Sequence, residues 1–500
     1  VNIERPEPVG DLNWSESQAR AIVDMMAGLW IELLGRLETD LPVSRGEDSR
    51  SVRSAVALEV PSDPMELKAI EEYLRDFVFG HSMYPGHPGF LAYVSGAGTV
   101  PGAAADLLAS GLNQNAGGWR LSPAATELEH HLGEWFAHKL GLPDGSGGFM
   151  VSGGAMANLV GVQLARLSKA GWDVREEGML GGAQMVIYVS TETHVTVDRA
   201  AEISGLGRAG VRHIRTDAEL RMDVDSLRST IQADLDAGRK PIAVVATAGT
   251  TGTGSIDPLH EIADTCEEFN LWMHVDGAYG GAAALTRELA PLFAGIERAN
   301  SIGFDPHKWL YTPIAGAVVL VRDFEMLHEA FGLRASYIVE DSESTGWGSD
   351  MAFHTPNFTR PFSALKVWVS LLAHGWDAYE RRIVHDVELT RYLEQLVREE
   401  PELELISPQR LSITSFRYRP PKLGSDPSHD PYLNELNERI MFDLEFDGNV
   451  YPSNAVVEGR FAIRSCIVNF RTEADQMETL VADTVRFGRQ RHAEMWSGSD

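Results

Sequence analysis

The sequence predicts an α/β fold, a mostly parallel sheet covered by helices, with a helical N-terminal arm and a smaller α+β unit at the C-terminus. Three observations predict it. From about residue 100 the chain alternates helical and strand-like patterns, the rhythm of parallel β-α-β architecture. The strand-like segments are apolar without alternation, as strands covered on both faces are. The 500 residues are 44% apolar and 23% charged, an ordinary globular composition with enough apolar side chains for large cores.

In chain order, Ile22, Met25, Met26, Leu29, Trp30 and Leu33 recur at helical spacing and mark the arm. A turn-rich passage, HSMYPGHPGFLAYVSGAG, follows. Ser122-Pro123 reads as an N-cap with proline at the first helical position, and Leu128, Leu132, Trp135, Phe136 and Leu140 trace one apolar face behind it. Strands are expected at Met185–Val189, Val211–Ile214, Ile242–Thr247, Leu271–Val275 and Ala317–Val321, all rich in β-branched residues. Helical patterns lengthen after about residue 365, and PPKLGSDPSHDP reads as an exposed loop. The expected division is 1–99 for the N-terminal segment, 100–366 for the large α/β domain and 367–500 for the small domain.

Against 72 Asp and Glu stand 43 Lys and Arg, a formal charge of −29 that repels nucleic acid and anionic membranes at long range. An anionic ligand therefore needs a local site of backbone amides and a few cations. The longest apolar runs, such as Pro313 to Val321, reach about nine residues, roughly half a membrane span. Two cysteines, Cys266 and Cys466, are too few for a disulfide framework or a cysteine zinc cluster, and the N-terminal stretch has no signal-peptide pattern. No metal, membrane or nucleic-acid partner is expected, and the location expected is cytoplasmic.

Five signals follow successive strand candidates. Gly153-Gly154 leads from an apolar stretch into a helix pattern, a junction that presents free amides, although alone it is as readily a tight turn. His194 follows the strand ending near Ser190, and Thr250-Thr251 follow the next. Asp276 ends the strand LWMHVD and is followed by small residues, where a capping role is the plain alternative. Lys308 stands between His307 and Trp309, where a surface lysine is the plain alternative. Jointly they supply what pyridoxal 5′-phosphate (PLP) requires: amides for a phosphate, an imidazole, hydroxyls, a carboxylate for the pyridine nitrogen and an amine.

The motifs HPGFLAYV, SPAATELE, SGGAMAN, THVTVDRAA, ATAGTT, HVDGAYGG, DPHKW and RSCIVNFRT resemble the PLP-dependent group II amino acid decarboxylases, which include the aromatic, histidine, tyrosine and glutamate enzymes. The resemblance implies a fold type I PLP-dependent architecture and a homodimer with active sites at its interface. It implies that Lys308 is the Schiff-base lysine, His194 stacks on the cofactor ring, Asp276 pairs with the ring nitrogen and Ala278 lies against the other face. Thr251 would stand near the ring hydroxyl and the substrate carboxylate, with Gly154, Ala155, Ser301 and His307 at the phosphate. Tyr93, Val94 and Ser95 would line the side-chain pocket, with Asn115 arriving from the partner subunit. The implied reaction is decarboxylation of an L-amino acid, hydrophobic or aromatic, through an external aldimine and a quinonoid.

Three departures stand out. Position 155 is Ala where many relatives carry Ser or Thr, and Asp305 stands where the animal aromatic enzymes carry Asn. Between Ile338 and Glu380, where such decarboxylases place a proton-donating tyrosine on a loop, the only tyrosine is Tyr379. The loop offers Phe353 and His354, and His354 is expected to replace the acid. Relatives with Phe at that tyrosine release an aldehyde, ammonia and peroxide, so an aldehyde synthase is the alternative. Acidic amino acid decarboxylation and transamination rank behind it.

Overall fold

The computed structural model describes residues 10, 12–46, 48–332, 348–424 and 426–496. A seven-stranded sheet forms the centre: β1 (Gly147–Val151), β2 (Met185–Ser190), β3 (Val211–Ile214), β4 (Lys240–Thr247), β5 (Trp272–Asp276), β6 (Ser301–Phe304) and β7 (Ala317–Val321), in the order β1-β7-β6-β5-β4-β2-β3. The pairs from β3 through β6 are parallel, whereas β7 runs antiparallel to both β6 and β1. All strand expectations are met to within a residue or two.

The absence of alternation has a direct cause: successive residues of each strand enter opposite cores. Tyr188, Val244, Ala246, Val275, Ile302 and Phe304 face one core with Phe136 and Ile262 of the helices Pro123–Lys139 and Leu259–Glu268. Ile187, Val189, Ala243, Val245 and Trp272 face the other, against Ala157, Val160 and Leu164 of the helix Gly154–Lys169. With both faces covered, a polar residue inside a strand must find its hydrogen-bond partner within the protein.

A four-stranded antiparallel sheet, β8 (Leu403–Arg410), β9 (Ile413–Tyr418), β10 (Ser453–Val457) and β11 (Arg460–Cys466), is ordered β10-β11-β9-β8 and carries its own core with the helices Trp376–Glu399, Asp430–Asp447 and Ala474–Met495. The N-terminal arm is helical at Glu16–Arg36, Ser49–Ala55 and Leu67–Tyr73, as its spacing predicts. Before residue 99 the chain returns to the small domain. Leu91 donates its N–H to Tyr451 O (2.9 Å) and accepts from Cys466 N (2.9 Å). The following residues then drape over the Lys308 turn, where Thr99 N reaches Tyr311 O at 2.7 Å.

Candidate active site

Ligands of open α/β sheets gather at the carboxyl ends of the strands, and there the structure brings the sequence-predicted groups together. Gly153-Gly154 follows β1, His194 follows β2, Thr251 follows β4, Asp276 closes β5, and Asp305 to Lys308 follow β6. β2, β4, β5 and β6 are consecutive neighbours in the sheet, so their ends form one floor.

Lys308 lies in a short helical turn whose N-cap is Asp305, and its Nζ is 2.9 Å from Asp305 Oδ2. Asp305 is buried and its Oδ1 has no hydrogen-bond partner among the described residues. His307 Nδ1 is 2.7 Å from Gly316 O, which leaves Nε2 3.7 Å from Asp305 Oδ2. A Cβ added to Gly154 would stand 3.0 Å from Ala278 Cβ and 3.2 Å from Asp305 Oδ2, so the glycine keeps open a cradle between these groups. No side chain caps the helix that begins at Gly154, which leaves the first-turn amides of Gly154 and Ala155 for an anion.

Asp276 is buried at the sheet end. Its Oδ1 accepts from Ala278 N (3.1 Å) and its Oδ2 from Asn158 Nδ2 (2.8 Å). His194 is exposed above it, and Nδ1 is held by Thr196 Oγ1 (2.8 Å) and Thr196 N (3.3 Å). Partial desolvation of the ring, exposed though the residue is, lowers the His194 pKa, the field of Asp276 opposes that shift and Lys308 adds to it, so the three groups share one electrostatic neighbourhood. Thr251 is exposed at the rim, beside Thr250, whose hydroxyl is committed to Thr253 (2.9 Å).

This inventory fits PLP. The uncapped helix start and His307 suit the phosphate, the space between His194 and Ala278 suits a flat ring, Asp276 suits the ring nitrogen, and Lys308 suits the aldehyde. The fit rests on the unpartnered Asp305 Oδ1 and on the cradle that a Cβ at Gly154 would fill.

Tyr93, Val94 and Ser95 lie on the segment over Lys308. A Cβ on Gly96 would meet Lys308 O at 2.4 Å, so this loop touches the lysine turn directly. Tyr93, three residues earlier, has φ +54° and a largely exposed ring, with its carbonyl accepting from Arg464 Nη1 (3.0 Å) and its N–H donating to Ser453 Oγ (3.3 Å). Val94 and Ser95 are half-buried beside it. Asn115 lines a cavity of about 740 Å³ that reaches Ser152 and Ala315, next to the glycine pair and the His307 contact. Its Oδ1 accepts from Gly117 N (3.0 Å) and Arg360 N (2.9 Å).

Two expectations are corrected. Ser301 is not a phosphate contact: it opens β6 at the buried, upstream end, and its Oγ is bonded to Trp272 Nε1 (2.9 Å) and His274 Nδ1 (2.8 Å). His354 does not reach the site either. It is buried, with its ring stacked on Phe324 at 5.2 Å and close to His328 at 5.4 Å. Phe324 lies against Gly147 at the start of β1, the sheet edge opposite the glycine pair. Part of the loop expected to carry the acid, residues 341–347, lies outside the described residues.

Sequence reasoning missed Asn158, Thr196 and His274. The available signal was a polar residue within apolar surroundings: Asn158 on the inner face of an apolar helix and His274 in the strand LWMHVD, both almost fully buried.

Residues 50–419 match the family described as the pyridoxal-dependent decarboxylase conserved domain. Over 468 residues the chain is 33% identical to an aromatic-L-amino-acid decarboxylase of Bacillus atrophaeus, covering 93% of this chain and 95% of that protein. It is 29% identical over 441 residues to a phenylacetaldehyde synthase of a Rosa hybrid cultivar, covering 86% of each. The crystal structure of Oryza sativa TDC with PLP and tryptamine matches with a TM-score of 0.89 at 26% identity, covering 96% of this chain and 99% of that one.

Proposed function

The chain belongs to the pyridoxal-dependent decarboxylase family, and from that premise we propose that it releases CO₂ and an amine from a hydrophobic or aromatic L-amino acid. The observation that carries the reading is the convergence of Lys308, Asp276 and His194 on adjoining strand ends around an open cradle. PLP supplies an electron sink for the pair released when the bond from Cα to the carboxylate breaks.

The chain's own residues do the rest. Lys308 is the covalent anchor, and Asp305, 2.9 Å away, holds a proton at Nζ and fixes where the amine points. His194 and Ala278 would flank the ring, and Asp276 would present a carboxylate oxygen to the ring nitrogen. Tyr93, Val94 and Ser95, with the partner subunit's Asn115, would border a bound substrate and orient its carboxylate relative to the cofactor. Orientation of this kind supplies several kcal/mol of a barrier.

A homodimer is part of the proposal. Leu107, Leu108 and Leu112 are exposed on the helix Val100–Leu112, as are Val23, Met26 and Ile31 on the arm, an apolar surface that a second copy would cover. The location proposed is cytoplasmic, in keeping with two free, buried cysteines.

The 29% identity to a phenylacetaldehyde synthase supports a second reading, an aldehyde synthase that consumes O₂ and water and yields CO₂, an aldehyde, ammonia and peroxide. The sole tyrosine of the 338–380 window, Tyr379, is buried between Tyr311 and Trp376, and burial pushes its pKa up to about 12. Tyr337, one residue before that window, lies outside the described residues. Incubating the PLP-loaded enzyme with aromatic, branched and acidic L-amino acids in an oxygen electrode separates the two. Amine without oxygen uptake supports the decarboxylase, oxygen uptake with aldehyde supports the synthase, and turnover of acidic substrates alone contradicts the substrate class.

A further inference from the structure

Beneath the site runs a chain of buried polar groups that ends on Asp276, and its other members are ones the proposed reaction does not itself use. Trp272 Nε1 donates to Ser301 Oγ at 2.9 Å. Ser301 Oγ is 2.8 Å from His274 Nδ1, and His274 Nε2 is 3.0 Å from Asn158 Oδ1. Asn158 Nδ2 donates to Asp276 Oδ2 at 2.8 Å. Each of the five residues is at most 5% exposed, four of them on strands of a sheet covered on both faces and Asn158 on the helix Gly154–Lys169.

We infer that Asn158 is the hub of a one-way hydrogen-bond chain from the Trp272 indole to Asp276, and that this chain positions the carboxylate for the ring nitrogen of PLP. The inference rests on the cofactor reading above. Its direction follows from the two ends. An indole N–H can only donate and a carboxylate can only accept. Ser301 Oγ receives the indole proton and gives its own to His274 Nδ1. His274 must then carry its proton on Nε2 and donate to Asn158 Oδ1, which leaves the Asn158 amide nitrogen facing Asp276. Reversing the Asn158 amide would set its oxygen against a carboxylate and its NH₂ against an N–H donor.

The imidazole must be neutral for this arrangement, and burial lowers the His274 pKa to about 4. Chains of bonds with a common direction polarise one another and strengthen the last one. The helix is also shaped to the ring: a Cβ on Gly161 would lie 2.4 Å from His274 Nδ1, so glycine is required for this approach.

Asn158 has a second amide proton, directed at Thr196 Oγ1 at 3.3 Å. The Thr196 amide donates to His194 Nδ1, which is therefore an acceptor, and the Thr196 hydroxyl 2.8 Å away donates to it as well. One amide thus orients both the carboxylate at the ring edge and the imidazole on the ring face. Asn158, His274, Ser301 and Thr196 are positioning residues, because they act through Asp276 and His194.

The test compares binding of PLP with that of 1-deazapyridoxal 5′-phosphate, which has CH in place of the ring nitrogen, to full-length enzyme stripped of cofactor. Wild type, Asn158→Leu and Ser301→Ala are titrated by quenching of tryptophan fluorescence, with thermal melts to verify folding. Wild type is expected to prefer PLP by about tenfold or more, the value of a hydrogen bond to a charged group. Asn158→Leu is expected to reduce that preference to within about twofold while binding the deaza compound as before, and Ser301→Ala to reduce it by about threefold. A merely structural role weakens both ligands equally, so an unchanged preference in both variants overturns the inference. Should Asn158→Leu fail to fold, an unchanged ratio in Ser301→Ala overturns it alone. Wild type that binds neither compound overturns the cofactor reading itself, a distinguishable result.

Discussion

Arg360 ties the cavity wall to the strand that precedes the glycine pair, and its removal gives the sharpest stability prediction. Arg360 and Glu129 are both almost fully buried. Arg360 Nη2 donates to Glu129 Oε1 and to Met150 O (2.8 Å), and Glu129 Oε1 also accepts from Met150 N (2.8 Å). Arg360→Met leaves Glu129 buried without its counter-ion, a loss of about 3–5 kcal/mol. An unfolding entropy of about 2.1 cal/mol/K per residue makes 500 residues worth about 1 kcal/mol per degree, so Tm is expected to fall by about 3–5 °C. Glu129→Gln with Arg360→Met removes both charges and is expected to melt at least about 2 °C above the single variant. Burial raises the Glu129 pKa and Arg360 opposes that rise. Without Arg360 the folded-state pKa rises further, and a raised carboxyl contributes stability that is lost as pH climbs through it. The Arg360→Met deficit should therefore be smaller at pH 5 than at pH 8. Calorimetry of the two single variants, the double variant and wild type at both pH values checks this. Additive single effects, or a Tm for Arg360→Met within about 1 °C of wild type, would refute the reasoning.

Further predictions concern the lysine turn and the cofactor. Lys308→Ala is expected to abolish both the visible absorbance of the PLP-loaded enzyme and CO₂ release; retained turnover would remove Lys308 from the chemistry. Ala155→Ser adds a hydroxyl at the uncapped helix start and is expected to tighten PLP binding about three- to tenfold, measured by fluorescence quenching. Asp386 accepts from Trp309 Nε1 (2.9 Å), Tyr311 Oη (2.6 Å) and Arg382 Nε (2.9 Å), and burial raises its pKa to about 6 from 3.8. Its contribution is therefore fully present below pH 4 and lost as pH rises through 6, so wild type should lose about 1 kcal/mol relative to Asp386→Asn between pH 5 and pH 8. Paired melts at the two pH values decide it, and a parallel pH dependence would contradict it.

The strand ends carried most of what the sequence revealed. Lys308, Asp276, His194 and Gly154 were legible because each follows an apolar run, and an open sheet gathers such positions at one edge. Ser301 was misplaced because a serine next to a strand does not declare which end it occupies; the register that pairs it with His274 puts it at the upstream end. His354 was misplaced because its packing against Phe324 and His328 depends on residues far apart in sequence that no local pattern joins. Asn158 and His274 were passed over because a polar residue in an apolar stretch reads as an interruption until its partner, 116 residues away, is seen.

The most direct test of the central claim is release of labelled CO₂ from carboxyl-labelled L-phenylalanine, L-tyrosine and L-tryptophan by the PLP-loaded enzyme. The account predicts labelled CO₂ from at least one of them, equal in amount to the amine and aldehyde formed together. Absence of labelled CO₂ from every amino acid offered, with the cofactor bound, would contradict it.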